Sequence, residues 1–426
     1  MLTRAQKSIG TNRTAHDTRS SGMTLLSSET NYVELPGDPA NGSGPDVAKK
    51  VAIDRSLADL SPVVFASLPR ADQRRKGLMY LRGLLGATGR KSVRNIAAFL
   101  GDQVNDQGLH HFINDSTWEW DPMREALARH LVRRVAPQEY VLHPMVIPKS
   151  GAHSVGVART FSWEHGQAVT AQQVIGVWGV SARSASPLNW WLHLPAHGTT
   201  PRTDRSSILH DAGPTTPEDS MVNAYLETAS RLCLPHRPVV LNAERLDAIR
   251  LMTKLGAAGL RHISRIAKDT WLLPHDPALT GWGNSPLQAH QIAQLARNGR
   301  KRLTLIPSDT PKAAELVTAV RVRLPAALDT PERTHGRGDF VLFGVGRGGA
   351  QWPEELWLTD MAGADHAALL RLVGLSRRVE CRGVPRAERV GIRDFVGRSF
   401  AGWHRHATLS SVAHAAAELA DLGPAA

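Results

Sequence analysis

The ten residues from Glu139 to Pro148, EYVLHPMVIP, decide the fold class because the spacing of apolar side chains changes there. Upstream, apolar residues recur every three or four positions, as in helices; from residue 139 they recur every second position, as in strands. Two more segments continue the strand pattern, QAVTAQQVIGVWGVSA (167–182) and PLNWWLHLP (187–195), and the turn between them predicts a hairpin.

Downstream of these strands, helical and strand-like segments alternate. EDSMVNAYLETASRL (218–232) predicts a helix, RPVVLNA (237–243) a short strand, and AERLDAIRLMTKLGAAG (243–259) a second helix. This order predicts an α/β fold with a mixed sheet covered by helices. Between 260 and 375 short apolar strands alternate with Gly and Pro, which predicts a β-rich insertion whose strands are HISRI, RLTLIP, AVRVRLP, DFVLFGVG and EELWLTD.

Upstream of residue 139 the pattern is helical. SVRNIAAFLGDQVNDQGLHHFINDSTW (92–118) is compatible with a helix-turn-helix whose second helix begins near Gly108 and Leu109, and equally with a plain helical bundle that has a solvated basic face. The chain therefore divides into five predicted parts: a flexible N-terminal arm (1–55), a helical, basic DNA-binding domain (56–137), the first part of the core (138–260), the β-rich insertion (261–365) and C-terminal helices that complete the core (366–426).

The chain is strongly basic. Its 51 Lys and Arg residues exceed its 39 acids, which gives a formal charge of +12 over 426 residues. Such a surplus favours a polyanionic partner, and arginine suits phosphate because its guanidinium forms paired hydrogen bonds. Between Leu68 and Asn95 a single acid, Asp72, accompanies eight basic residues, which are candidates for DNA contact: Arg70, Arg74, Arg75, Lys76, Arg82, Arg90, Lys91 and Arg94.

Other classes of protein are disfavoured. No apolar run approaches the ~18 residues that span a bilayer, and no apolar segment follows the basic N-terminus, so we expect no membrane partner and a cytoplasmic, nucleoid-associated protein. The two cysteines, Cys233 and Cys381, are far apart and lack the spacing of a structural zinc site.

Several motifs resemble the bacterial insertion-sequence transposases of the DDE superfamily. They are PKSGAHSVGVAR (148–159) followed by GQAVTAQQVIGVW, GRSFAGWHRHATL (397–409), and the upstream RKSVRNIA and LHHFINDSTWEW. The resemblance extends from about residue 56 to 420. It implies an RNase H-like catalytic core, a β-rich insertion before the last catalytic helix, double-stranded DNA as substrate, and two Mg²⁺ ions as cofactors.

Two metal ions about 4 Å apart need three converging carboxylates. In the family the first lies in an Asp-Asp-Thr run before the Pro-Lys-x-Gly turn. Here Pro148, Lys149 and Gly151 match the turn, but the acidic pair is replaced by His143 and Pro144. The resemblance therefore implies that the first ligand is missing.

The family's second Asp ends a strand of the form Val-Val-x-Asp-Ala, where this chain has Asn242. An amide carries no charge, and hard divalent ions prefer carboxylates. The family's Glu matches Glu380, although Ala387 stands where the family has Lys and Pro385 interrupts the helix. We predict no bound metal, with Mg²⁺ relevant only if an unusual ligand set exists.

Neighbouring acids are poor replacements for the missing ligands. Glu139 and Glu244 would share a face with His143 and Asn242, but two residues along a strand span about 6.6 Å, which is too far for a metal ligand without rearrangement.

The same motifs suggest further phosphate contacts. Lys149, Arg159, Arg398 and Arg405 match family positions near the catalytic face, and the alternative for each is a basic rim that only increases solubility. For the histidines near 110 and 404, hydrogen bonding or exposure is favoured over metal binding, and for the tryptophans core packing is favoured over base stacking.

Three functions follow from these observations. The preferred one is a transposase-derived, catalytically inactive DNA-binding protein that regulates transcription, expected to act as a homodimer. The second is a functional transposase with an unusual metal-ligand set. The third is a decayed or scaffold protein without specific DNA binding.

Overall fold

The computed structural model describes residues 44–101, 104–151, 153–162, 166–195, 216–279, 285–298, 304–307, 314–325 and 339–423. Its helices are α1 Gly44–Val64, α2 Ala71–Gly86, α3 Val93–Leu100, α4 Asp106–Asn114, α5 Trp120–Val135, α6 Pro217–Leu232, α7 Ala248–Ala257, α8 Ala289–Asn298, α9 His366–Arg378, α10 Val384–Arg389 and α11 Phe400–Leu422. Its strands are β1 Glu139–Pro148, β2 Val157–Ser162, β3 Gln167–Val180, β4 Ala185–Leu192, β5 Val239–Asn242, β6 His262–Ile266, β7 Trp271–Pro274, β8 Leu287–Gln288, β9 Thr304–Pro307, β10 Ala314–Arg323, β11 Phe340–Gly346 and β12 Glu355–Thr359.

Five strands form the mixed sheet that the sequence predicts. β1 pairs antiparallel with β3, and β3 pairs antiparallel with β4 in the predicted hairpin. On its other edge β1 pairs in parallel with β5, and β5 pairs in parallel with β6. The resulting order β4-β3-β1-β5-β6, with helices packed against it, is a mixed α/β arrangement consistent with an RNase H-like core.

Two details of the strands differ from the prediction. The segment Val157–Ser162, which the sequence analysis did not predict as a strand, forms β2 and pairs with the first half of β3. The segment HISRI was predicted as the first strand of the insertion, but as β6 it pairs with β5 inside the core. The sequence of a five-residue strand predicts its length but not which strand it pairs with, because pairing depends on residues distant in the chain.

The insertion therefore begins after Ile266. Its strands continue the sheet in the order β6-β12-β11-β10-β7-β8, with β9 on β10, so the predicted strand segments all form. Helix α8, which the sequence analysis did not predict, packs against β10 and β11 with Ala289, Ile292, Ala293 and Ala296 buried.

The helical region begins earlier than predicted. Helix α1 starts at Gly44, so the expected boundary between residues 55 and 56 falls inside it; residues 1–43 lie outside the described part of the chain. The first turns of α1 are exposed, whereas Leu57, Leu60 and Val64 are buried, so an apolar stripe begins only at Leu57. No described helix has the length and apolar character needed to cross a membrane.

Helix α11 joins the helical region to the sheet. It packs against α2, α4, α5 and β4 and is buried on nearly all sides, because small residues such as Ala407, Ser411 and Ala415 allow close approach. At its centre His406 accepts a hydrogen bond from the Tyr80 hydroxyl at Nδ1 (2.8 Å) and donates from Nε2 to the Gly391 carbonyl (2.7 Å). This pattern requires a neutral imidazole.

The His406 contacts predict a pH-dependent stability. Burial lowers the pKa of His406 to about 4, whereas an unfolded histidine titrates near 6.5. When folding lowers the pKa of a side chain, that side chain contributes its full stabilisation of the folded state only at pH values above its pKa in the unfolded chain. The contribution of His406 is therefore lost as the pH falls from about 6.5 towards 4. Between about pH 7.5 and about pH 5 the His406 contacts should cost the wild type about 2 kcal/mol of its free energy of unfolding, and His406→Asn should not show this loss. Urea denaturation at the two pH values measures the difference. An identical pH dependence in His406→Asn and wild type would contradict this, and exposed His110→Asn is the control.

Candidate functional site

Three side chains form a row across the parallel strands of the core. Asn242 on β5 is the register partner of Arg265 on β6, and because Leu142 pairs with Leu241, His143 on β1 follows beside Asn242. Register partners in parallel strands point to the same face of the sheet. We call His143, Asn242 and Arg265 the cross-strand row. It brings together the two positions that the resemblance assigns to the catalytic Asp residues.

Glu380 lies against the centre of this row. The Asn242 side chain donates a hydrogen bond from Nδ2 to Glu380 Oε1 (2.8 Å), and its Oδ1 accepts one from the Glu244 backbone N–H (3.3 Å). Both ends of the amide are therefore in use. Sequence reasoning placed Glu380 with Asn242 only through the family resemblance, and the structure brings the two into direct contact.

A π-helical turn, Val379–Gly383, carries Glu380. The α-helical hydrogen bonding of α9 ends at Arg378, and Pro385 stands in the first turn of α10. Proline donates no backbone hydrogen bond, so the wider turn replaces the uninterrupted helix of the family pattern. Upstream on α9, Arg377 pairs with Glu315 (2.6 Å) and Glu355 (3.0 Å), which ties this helix to β10 and β12.

Arg265 is the residue that sequence reasoning missed. Its guanidinium lies between two carboxylates: Nη1 is 3.4 Å from Glu380 Oε2, and Nε is 3.3 Å from Glu244 Oε2. The positive charge of Arg265 thus lies beside the carboxylate to which the resemblance assigns metal binding. The arginine within the strand-like segment HISRI was the available signal, but its partners could be named only once the strand register was known.

The surroundings of Glu380 and His143 are partly desolvated. Burial raises the pKa of Glu380, and Arg265 and the Asn242 hydrogen bond oppose that rise. Burial lowers the pKa of His143 to about 4, helped by the charges of Arg245, Arg393 and Arg265. His143 is therefore neutral at physiological pH. Pro144 continues β1 beside it, opposite Ile175.

The two acids considered as substitutes have different positions. Glu139 lies four residues from His143 on β1, about 13 Å along the strand, and burial raises its pKa to about 7. Glu244 does approach the site, but Arg265 lies between it and Glu380. Within the described part of the chain, no group of three or more His, Cys, Asp or Glu residues is arranged to hold a metal ion.

Five of the predicted DNA-contact residues lie on α2 or directly before it. Arg70 pairs with Asp72 through two hydrogen bonds of 2.9 Å, Arg74 donates to the Leu68 carbonyl (2.6 Å), and Lys76 lies 3.8 Å from Asp72. Arg75 is exposed, and Arg82 is half-buried further along the helix.

A second set of basic residues lies where the helical region meets the core. Lys149 donates a hydrogen bond to the Phe395 carbonyl (2.7 Å), and burial, together with the charge of Arg90, lowers its pKa to about 8. Arg398 belongs to the same loop as Phe395, and its carbonyl accepts a hydrogen bond from Val155 (3.1 Å). The side chains of Arg90, Arg94, Arg159 and Arg398 are exposed.

Two predicted DNA-contact residues are buried instead. Lys91 is 7% exposed and donates to the Ala87 carbonyl. Arg405 is 6% exposed, donates to the carbonyls of Trp118 (3.0 Å) and Ile113 (3.2 Å), and stacks over the Trp118 ring. Both charges satisfy backbone carbonyls at or near the ends of helices, so neither side chain is available to DNA.

The predicted helix-turn-helix corresponds to α3 and α4. Ser92 and Asn105 cap the two helices, accepting from Asn95 and Gln107 respectively. The second helix begins at Asp106, slightly earlier than predicted, and exposes Gln107, His110 and His111. It carries no arginine, so the plain basic bundle remains open as the alternative.

A family model described as DDE superfamily endonuclease matches residues 63–325. The chain belongs to this superfamily. The match covers α2 to α5, the core strands and part of the insertion, and it ends before Glu380. No curated protein matches the chain.

The geometry predicts what would be needed to create metal binding. Replacing His143→Asp, Asn242→Asp and Arg265→Ala together puts two new carboxylates beside Glu380 and removes the competing cation, so this variant should bind Mn²⁺ whereas the wild type should not. Electron paramagnetic resonance of free Mn²⁺ measures the difference. Adding Glu380→Gln to the triple variant should weaken binding again. Equal Mn²⁺ binding by wild type and triple variant would contradict this reading.

Proposed function

We propose that this DDE superfamily protein is a transposase-derived DNA-binding protein that has lost metal-dependent strand cleavage, and that it regulates transcription by occupying duplex DNA. The single observation that carries the proposal is the direct 2.8 Å hydrogen bond between Asn242 and Glu380, with Arg265 beside it. In the family these positions are bridged by cations. Here the Asn242 amide and the Arg265 guanidinium contact the Glu380 carboxylate instead.

The charge balance of the site supports the loss of cleavage. Two divalent ions bring four positive charges, and carboxylates are needed to hold them. The two ligand positions on the sheet hold His143 and Asn242, which bring no negative charge, while Arg265 adds a positive one. A divalent ion near Glu380 would have to displace Arg265 and lie close to a like charge.

The basic surface supports retained DNA binding. Lys149 is largely buried, and the positive charge of Arg90 nearby repels its ammonium group. A bound polyanion would reduce that repulsion. Further arginines are exposed on α2, α3, β2 and the loop before α11. The surface that we propose for duplex DNA therefore consists of Arg70, Arg74, Arg75, Lys76, Arg82, Arg90, Arg94, Lys149, Arg159 and Arg398, without the buried Lys91 and Arg405.

One observation favours the alternative of an active transposase with an unusual ligand set. Glu244 and Glu380 both lie within 3.4 Å of the same guanidinium, so two carboxylates are already close enough to share one cation. Under this alternative, Mg²⁺ or Mn²⁺ should support nicking of inverted-repeat DNA, and Glu380→Ala should abolish it. Under our proposal neither metal supports nicking.

Binding to duplex DNA should be independent of metal and sensitive to salt. In EDTA, wild type should bind a labelled duplex, and Arg90→Ala/Arg94→Ala should bind more weakly, with a slope of log K against log salt that is less steep by about 2 because about 0.9 is lost for each phosphate contact. Fluorescence anisotropy measures both quantities. The control Arg250→Ala/Arg347→Ala removes two exposed arginines elsewhere. No duplex binding in EDTA would contradict the proposal.

The regulatory role needs a measurement of its own, separate from the one for the expected homodimer. Mapping of bound DNA in cells should show enrichment at promoters. Enrichment confined to ends of mobile elements would favour a role linked to transposition, and enrichment nowhere would favour a protein without specific DNA binding.

A further inference from the structure

Two buried polar atoms at opposite ends of the cross-strand row lack hydrogen-bond partners. They are His143 Nδ1 and Arg265 Nε, and no described residue supplies an acceptor or donor with suitable geometry to either. The ion pair of Arg265 Nε with Glu244 is close but not aligned as a hydrogen bond. Buried polar groups are nearly always satisfied by protein, water or ligand, so two orphans in one row point to a missing acceptor.

The charges around the row sum to zero, but the guanidinium of Arg245 makes no ion pair with a described residue. Arg265 lies between Glu244 and Glu380, and Arg393 pairs with Glu388 (2.7 Å) and donates to the Val146 carbonyl (2.8 Å). Arg245, three residues after Asn242, is exposed, and no described residue pairs with its side chain. With Arg245 included, three arginines balance the three carboxylates Glu244, Glu380 and Glu388, so an anion does not meet a net negative charge there.

We propose that the cross-strand row, together with Arg245, binds a phosphate group of the DNA backbone directly, without metal ions. The phosphate oxygens accept hydrogen bonds from Arg265 and from the His143 ring, and Arg245 contributes a positive charge at the rim that makes no ion pair with a described residue. This inference rests on the proposed function and adds to it a specific contact: the former metal site still holds the DNA strand, through guanidinium groups.

The chemistry of the row favours an oxyanion over other ligands. A guanidinium presents several N–H donors in a planar fork that matches phosphate oxygens. A metal ion, by contrast, would be repelled by the positive charge of Arg265. The row is also accessible: Arg265 and Glu380 keep 20% and 25% of their side-chain surface exposed. Arg393 further links the row to the basic surface, because it lies on the loop that also carries Phe395 and Arg398.

The test compares two exposed arginines close together in sequence. Arg245→Ala should make the slope of log K against log salt less steep by about 0.9 and weaken duplex binding roughly tenfold at 0.1 M salt, the contribution of one phosphate contact. Arg245→Lys should retain most of the slope because it keeps the charge. Arg250→Ala, on α7, is the control and should behave like wild type. All measurements use the full chain in EDTA.

The outcomes separate this inference from the proposed function. If wild type binds duplex DNA and Arg245→Ala has the same slope as Arg250→Ala, the phosphate contact is wrong while DNA binding stands. If wild type does not bind duplex DNA, the proposed function fails and the inference fails with it. Inorganic phosphate provides a further arm: competition at millimolar concentration that is equal for wild type and Arg245→Ala would indicate that free phosphate binds elsewhere, and would count against this site.

Discussion

The hydrogen bond between Asn242 and Glu380 is the interaction on which the rest of the site depends. It joins the end of β5 to the π-helical turn after α9, across 138 residues of sequence. Two ionised carboxylates could not stand at that separation without a cation or a shared proton between them. An amide can, and Arg265 completes the arrangement by lying beside Glu380. The contact between Asn242 and Glu380 therefore needs no metal ion to hold it together.

The position of the basic surface follows from how the helical region is fixed to the core. Tyr80 on α2 contacts His406 on α11, Arg405 on α11 binds carbonyls at the end of α4, and Lys149 on β1 binds the Phe395 carbonyl. Each contact joins an element of the helical region or the sheet to the C-terminal segment. The exposed arginines of α2 and α3 are therefore held in a defined position relative to the cross-strand row.

The sequence predicted those features that depend on local pattern. The period of two predicted β1 and β3, and the motif comparison aligned Asn242 and Glu380 with the family's ligand positions. Features that depend on distant partners could not be predicted. The role of Arg265 follows only from the pairing of β5 with β6. Arg405 was predicted as a phosphate contact from its place in a motif, and a motif match carries no information about burial.

The central claim is that the chain's own guanidinium and amide groups replace divalent cations at this site. Diffraction from crystals of the wild-type protein soaked in MnCl₂, measured where manganese scatters anomalously, tests it most directly. The account predicts no anomalous peak at the cross-strand row, with Arg265 still beside Glu380. A manganese peak within about 2.3 Å of Glu380, with Arg265 displaced and further oxygen or nitrogen ligands around the ion, would contradict it.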